Sequence, residues 1–351
     1  MSIENKDLYS ETSLKNENVM LIGGSGFIGH HLALKLKNKQ ANVLVLDNLQ
    51  VNNIVSILGN SEINETKRKL YINFILDRFK LMREANIDFA NIDGRDLSLF
   101  SNVYNDFKPT KIVHLAAISS AVIANNNPSL AYDIQINSLR NTINLCQNSN
   151  SYTNQLVFLS SSTVYGDFKE KSVDETVRPQ PKGVYANGKY IGERMVREAK
   201  SLFNLDYTIV RPSALYGIRC ISGRVSQKFI ENALSKKPLI LEGGGGGQLD
   251  FTHVDDLVEG IIRTLIYEEA RSKTFNLTFG NARSIADLAK IIKEIIPEVE
   301  LKEAPAAKLK PKRGTLNINR AKSLLNFVPS KPIEIGYTEF CQWYIKQWNN
   351  I

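Results

Sequence analysis

Asn18-Val19-Met20-Leu21-Ile22-Gly23-Gly24-Ser25-Gly26-Phe27-Ile28-Gly29 runs from a short apolar stretch into a cluster of glycines, and His31–Lys37 follows with Leu32, Leu34 and Leu36 spaced among lysines. The apolar run predicts a strand, and the spaced leucines predict a helix. The turn between them fits GxGxxG at Gly24, Gly26 and Gly29, and GxxGxxG at Gly23, Gly26 and Gly29. Glycines at such a turn let the backbone approach a pyrophosphate, whose charge is met by the N-terminus of the helix. The spacing alone is a weak signal; the strand before it and the helix after it give it weight.

Outward from the turn, the next apolar run, Val43–Leu46, ends in Asp47. That carboxylate is placed to accept hydrogen bonds from adenosine ribose hydroxyls and would repel a 2′-phosphate. Asn48, Leu49 and Gln50 offer no arginine to bind one, so NAD is favoured over NADP. Strand-like runs recur at Ile112–Leu115, Leu156–Leu159, Tyr207–Val210 and Thr274–Leu277, with helix-like stretches between most of them. Strand alternating with helix predicts an α/β protein with a Rossmann-type, doubly wound parallel sheet. From about Ser61 to Asn86, Leu70, Ile72, Phe74, Ile75, Phe79 and Leu81 alternate with Lys67, Arg68, Lys69, Arg78, Lys80 and Arg83. This reads as an amphipathic helix inserted after the second strand, packed on its own domain; a subunit contact and a membrane surface are the other readings. The tract Gly243–Gly247 reads as a flexible loop.

The chain has 351 residues, 43% hydrophobic and 23% charged, as an ordinary globular enzyme has. Cys146, Cys220 and Cys341 are widely spaced without CxxC pairing, which speaks against a disulfide framework or a metal site and for a reducing compartment. The stretch through Glu17 is polar, unlike a signal peptide, and no run reaches the roughly 18 apolar residues of a spanning helix. The expectation is a cytoplasmic protein without a membrane span. The net charge of +8 gathers partly at Lys67–Lys69, Lys236–Lys237 and Lys308–Arg313. No aromatic-interleaved basic stripe accompanies it, so nucleic acid is not expected; a solvated basic face or a diphosphate substrate accounts for the charge.

The chemistry centres on Tyr185 and Lys189, with Ser160, Ser161 and Ser162 upstream. A phenol four residues before an ammonium shares its helix face, one turn away. A nearby positive charge stabilises phenolate, so a tyrosine with an ordinary pKa near ~10 can serve as a base at neutral pH. Joined to a dinucleotide site, this pair points to hydride chemistry on an alcohol or ketone.

These motifs, in this order, resemble an extended short-chain dehydrogenase/reductase of the NAD-dependent nucleotide-sugar epimerase/dehydratase group, over residues 18 to about 345. Asp93-Gly94-Arg95-Asp96 resembles the acidic motif after the third strand, and His114-Leu115-Ala116-Ala117 the small-residue strand end beside the cofactor. Ser160-Ser161-Ser162-Thr163-Val164-Tyr165-Gly166 resembles the serine strand, and Tyr185-Ala186-Asn187-Gly188-Lys189 the catalytic helix. Arg211-Pro212-Ser213-Ala214-Leu215-Tyr216-Gly217 and Asp250-Phe251-Thr252-His253-Val254-Asp255-Asp256 resemble two later signatures. The resemblance implies a catalytic trio of Tyr185, Lys189 and Ser161, with Ser162 in reserve for the serine's role. It implies that NAD meets Gly23, Gly26, Phe27, Ile28, Gly29, Asp47, Asn48, Asp93, Gly94, Leu115, Ala116, Ala117, Asn137, Ser160, Tyr185, Lys189 and Pro212. Substrate would meet Ser161, Ser162, Ser213, Ala214, Arg224 and Arg313; no metal is implied.

Departures from the group's pattern narrow the reaction. Sugar 4,6-dehydratases of the group carry Asp-Glu where this chain has Ser162 and Thr163, which cannot protonate and deprotonate carbon near neutral pH. The related decarboxylases usually keep the glutamate. What the resemblance leaves is epimerisation of a nucleotide-diphosphate sugar, UDP-linked in most members, at C4 through a 4-keto intermediate with NAD retained, in polysaccharide synthesis. A reductase or dehydrogenase, a dehydratase or decarboxylase with carboxyls from elsewhere in the chain, and a non-catalytic NAD-binding regulator are the alternatives. Ala214 and Leu249 stand where many members have an asparagine and an arginine, leaving Arg224 and Arg313 as diphosphate ligands. The expected organisation is a cofactor domain over 18–190, with returning segments near 205–217 and 250–280 and the insertion near 61–86. The substrate lobe would comprise 218–249 and 281–345. The resemblance also implies a homodimer through the helix after Ser129 and the helix carrying Lys189.

Overall fold

Val19, Met20, Leu21 and Ile22 are each at most 1% exposed, which is why this strand reads as a continuous apolar run rather than an alternating one: both of its faces are covered. In this computed structural model, residues 10, 13–51, 53–118, 121–147, 151–306 and 311–351 are described. Most of the N-terminal stretch read for a leader, and residues 308–310 of the third basic cluster, lie outside them.

The central sheet has seven parallel strands: β1 (Asn18–Ile22), β2 (Asn42–Leu46), β3 (Asp88–Ala90), β4 (Lys111–His114), β5 (Gln155–Leu159), β6 (Asp206–Arg211) and β7 (Lys273–Asn276). Their order, β7-β6-β5-β4-β1-β2-β3, reverses direction between β1 and β4. A crevice forms at such a switch point, beyond the carboxyl ends of the strands. The Rossmann-type doubly wound α/β fold is thus present. One apolar layer on the sheet includes Leu32, Leu36, Val258 and Ile262; another includes Phe100, Leu139, Ile143 and Val196.

Five helices matter for the site: α1 (Phe27–Asn38), α2 (Glu65–Glu84), α3 (Gly183–Phe203), α4 (Val225–Leu234) and α5 (Ile333–Asn349). Among the described residues, no helix is long and apolar enough to cross a membrane. The C-terminal lobe builds its own apolar cluster from α4, Ile285–Ile295 and α5, including Phe229, Ile292, Phe340 and Tyr344. A short parallel pair, Leu239–Glu242 with Leu301–Ala304, lies at its edge.

The insertion expected near 61–86 forms α2, which follows a short helix at Ile54–Leu58 and whose N-cap Asn64 accepts the backbone N–H of Lys67. Its apolar face joins the C-terminal lobe: Leu70, Tyr71, Phe74 and Ile75 belong to the same cluster as Phe229 and Tyr344. A polar knot fixes the contact. The hydroxyls of Tyr71 and Tyr344 donate to the buried Glu231 carboxylate at 2.5 and 2.6 Å, and the Lys67 ammonium lies 2.8 Å from it. Replacing the fully buried Phe74 by alanine is expected to cost about 3–5 kcal/mol. The helix expected on its own domain therefore also bridges to the lobe.

Candidate active site

The glycine turn caps a cavity at the sheet's switch point, and each glycine serves a different need. Gly23 has φ +76°, and a Cβ there would lie 2.7 Å from the backbone of Ala116. A Cβ on Gly29 would lie 2.3 Å from the carbonyl oxygen of Gly24. A Cβ on Gly26 would meet nothing nearer than 3.8 Å, so this glycine leaves space for something outside the chain. Gly26 is the N-cap of α1 and supplies no side-chain cap, and Phe27, Ile28 and Gly29 line the cavity. The first-turn N–H groups are thereby available to an anion. An open glycine at an uncapped helix start fits the diphosphate of NAD.

Asp47, at the end of β2, accepts the backbone N–H groups of Ser25 and Leu49 at 3.0 and 2.9 Å. These bonds fix the carboxylate beside the glycine turn. Asp93 accepts from Arg95 and, at 2.7 Å, from the Asn48 amide. Chiefly through Arg95, its carboxyl is held down to about 2. Arg95 also pairs with Asp133, and Asp133 accepts from the Asn137 amide. Asn137 is thus engaged within its own helical turn and lies outside the cavity lining, whereas Ile134 and Ser138 enter it.

The other expected cofactor residues, Gly23, Asn48, Gly94, Leu115, Ala116, Ala117, Ser160 and Pro212, line the cavity together with Tyr185 and Lys189. Helix α3, which carries both of the latter, is anchored from beneath. Its fully buried Glu193 accepts the Ser160 hydroxyl at 2.6 Å and two bonds from Arg211, at 2.8 and 2.6 Å. Breaking one side of such a buried pair leaves an uncompensated charge and costs about 3–5 kcal/mol.

Tyr185 stands in the cavity wall. Burial raises its pKa, while the Arg224 guanidinium and a hydrogen bond with Ser161 pull it back down. Ser161 itself accepts from Thr163, from the backbone N–H at 3.2 Å and the hydroxyl at 3.0 Å. With its lone pairs so used, its own proton is free to be donated toward the phenol or a substrate oxygen. Lys189 lines the same cavity as Tyr185. Its ammonium donates to the Leu159 carbonyl at 2.6 Å and sits over the Phe158 ring at 5.2 Å. Burial lowers its pKa to about 7, only partly opposed by Glu193.

Of the expected substrate residues, Ser161, Ser213 and Arg224 face the cavity, and Ser162, Ala214 and Arg313 do not. Arg313 donates to the carbonyl oxygens of Ser162 and Gly166, both at 3.1 Å, and lies over Phe168. Its guanidinium braces the loop after β5 instead of reaching the cavity. Sequence reading missed Arg95, Ser138, Cys220, Ile221 and Ser222 in the lining. Arg95 stood within a quoted motif; the other four carried no spacing signal.

A switch-point crevice, a glycine turn and a tyrosine–lysine helix define a dinucleotide-dependent protein of the extended short-chain dehydrogenase/reductase class. The model of the NAD dependent epimerase/dehydratase family matches residues 19–278, and the chain belongs to that family. It is 26% identical to UDP-glucuronate 4-epimerase 2 of Arabidopsis thaliana, over 93% of this chain and 76% of that protein. It is 27% identical to UDP-glucuronic acid decarboxylase 4 of the same plant, over 92% and 66%. Among solved structures, a UDP-glucuronic acid 4-epimerase of Bacillus cereus, in complex with UDP-glucuronic acid and NAD, superposes with a TM-score of 0.78 at 24% identity, covering 94% of this chain and 99% of that one. NAD is the cofactor of the family.

Proposed function

We propose that the protein is an NAD-dependent epimerase of a nucleotide-diphosphate sugar, most simply a UDP-sugar, inverting C4 through a 4-keto sugar while NAD is retained. The observation that carries this reading is the placement of the carboxylates. Those among the described residues of the cavity lining are Asp47 and Asp93, the first bonded to the glycine turn and the second to Arg95. Elimination of water requires an acid and a base at carbon, and Ser162 and Thr163 stand where related dehydratases carry theirs. The names of the relatives support a sugar nucleotide as substrate.

Bound NAD supplies the hydride acceptor. Tyr185 takes the proton of the reacting sugar hydroxyl, Ser161 donates a hydrogen bond to that oxygen, and Arg224 favours the phenolate. Arg224 is also the remaining diphosphate ligand of the two arginines considered. Exposed Leu130 and Ile191 support pairing of two copies through the helices after Ser129 and at Lys189, which light scattering of the pure protein tests.

The deciding experiment incubates pure protein with UDP-glucose, UDP-N-acetylglucosamine and UDP-glucuronate, without added NAD, and reads product mass and proton NMR. Epimerisation gives unchanged mass with altered ring couplings. Loss of water or carbon dioxide, or a two-hydrogen change that requires bulk NAD, would replace this reading with one of its alternatives.

A further inference from the structure

The insertion helix α2 meets the segment that walls the cofactor cavity through Arg78, which lines an adjoining hollow with Ser25, Asn48 and Leu49. This side chain is 1% exposed, and among the described residues it forms no ion pair. Its guanidinium donates to the carbonyl oxygen of Arg219 at 2.5 Å, while its Nε has no partner. Burial lowers its pKa to about 10. A buried, unpaired guanidinium is costly, so its position calls for a reason.

Arg219 belongs to the segment between the strand Ala214–Tyr216 and α4, and that segment forms one wall of the cavity through Cys220, Ile221, Ser222 and Arg224. The same segment is stitched to α1, directly behind the glycine turn. Arg219 Nε donates to His30 Nε2 at 3.0 Å, and His30 Nδ1 lies 2.9 Å from the Gly26 carbonyl. This pattern fits one neutral tautomer, with Nδ1–H donating and Nε2 accepting, and burial holds His30 neutral. His31 Nε2 lies 3.2 Å from the Ile218 carbonyl. The three bonds hold residues 218 and 219 from α1 on one side and α2 on the other. They also leave the charges of Arg78 and Arg219 without an acid in bonding distance, next to a helix start that itself favours an anion.

We propose that α2 anchors a strap: Arg78 holds residues 218–222 down over the dinucleotide, so that NAD leaves only when this strap lifts. Arg78 is a positioning residue, acting through the strap without touching substrate. The proposal rests on NAD binding and not on the reaction assigned above.

The test measures exchange of the NAD carried by the purified protein against isotope-labelled NAD, followed by mass spectrometry. In Arg78→Met, exchange is expected to be about tenfold faster or more, since a hydrogen bond to a charged group is worth about 1.5–3 kcal/mol and 1.4 kcal/mol is tenfold. The KM for added NAD rises while kcat at saturating NAD stays within about twofold of wild type. Arg78→Lys, which keeps a cation able to reach the carbonyl, restores part of the retention. Arg219→Asn, suited to the backbone φ of +59° there, removes the bond to His30 and also speeds exchange. Unchanged exchange in both Arg78→Met and Arg219→Asn overturns the proposal, as does a fall in kcat without faster exchange. Should Arg78→Met be recovered only unfolded, Arg219→Asn decides alone. Because exchange is read without substrate, failure of the epimerase assignment leaves this result standing.

Discussion

The ammonium of Lys189, one helical turn beyond the Tyr185 phenol, donates to the carbonyl oxygen of Leu159 at 2.6 Å. Burial brings its pKa to about 7, against an ordinary value of 10.5. Below about pH 7 the lysine is protonated in both folded and unfolded chains, and the full cost of burying the charge is present. Between there and the ordinary value the unfolded chain binds the extra proton, so stability gained from this group rises with pH. Thermal unfolding of cofactor-free protein is expected to show Lys189→Met most favoured relative to wild type below about pH 7, with that difference shrinking toward pH ~10. A difference independent of pH would mean that the folded lysine titrates normally.

Tyr185 is the assigned base. Tyr185→Phe removes the proton acceptor while leaving the glycine turn intact, so turnover is expected to fall by about 10²–10⁴ with NAD still bound after purification. Retention of more than about a tenth of the activity would move the base elsewhere.

Arg224 lowers the pKa of Tyr185, whereas burial raises it. With a tyrosine base, kcat/KM rises with pH through the phenol's pKa. Arg224→Gln is therefore expected to shift that acid limb to higher pH, in addition to weakening substrate binding. A limb that stays in place, with only KM altered, would confine Arg224 to binding.

The glycines of the turn separate folding from binding. Gly29→Ala sets a Cβ at 2.3 Å from the Gly24 carbonyl oxygen and should lower the melting temperature, overpacking of this kind costing about 1–3 kcal/mol. Gly26→Ala meets no atom nearer than 3.8 Å and is expected to fold normally yet lose most of its NAD. Calorimetry and cofactor content of the two proteins read the contrast.

Arg313→Met should reduce stability by about 1.5–3 kcal/mol, the worth of hydrogen bonds from a charged donor, because the loop after β5 loses its brace. The KM for sugar nucleotide is expected to change little in the folded variant. A large rise in KM at unchanged stability would return Arg313 to the substrate.

Much of the site was legible because its parts are local. The glycine turn, the carboxylate at the end of β2 and the tyrosine–lysine spacing each lie within one strand, turn or helix, where the backbone period fixes what faces what. The strand at Asp88–Ala90 is short and partly exposed, and only its acidic sequel, Asp93, announced it. Arg313 looked like a phosphate ligand because a guanidinium suits either a carbonyl pair or an anion, and its sequence neighbours do not say which is near.

The sequence by itself determined the fold, through unbroken apolar runs that must be covered on both faces, and the family, through motifs whose order survives in the chain. Tertiary structure decided what depends on residues far apart: that Lys189 meets Leu159 and Arg224 acts on Tyr185, that α2 reaches across to Glu231, and that Arg78 finds the carbonyl of Arg219, 141 positions away. The reason is physical. Periodicity constrains neighbours along one element, but a buried charge is satisfied by whichever group the packing brings within about 3 Å, and no local pattern encodes that choice.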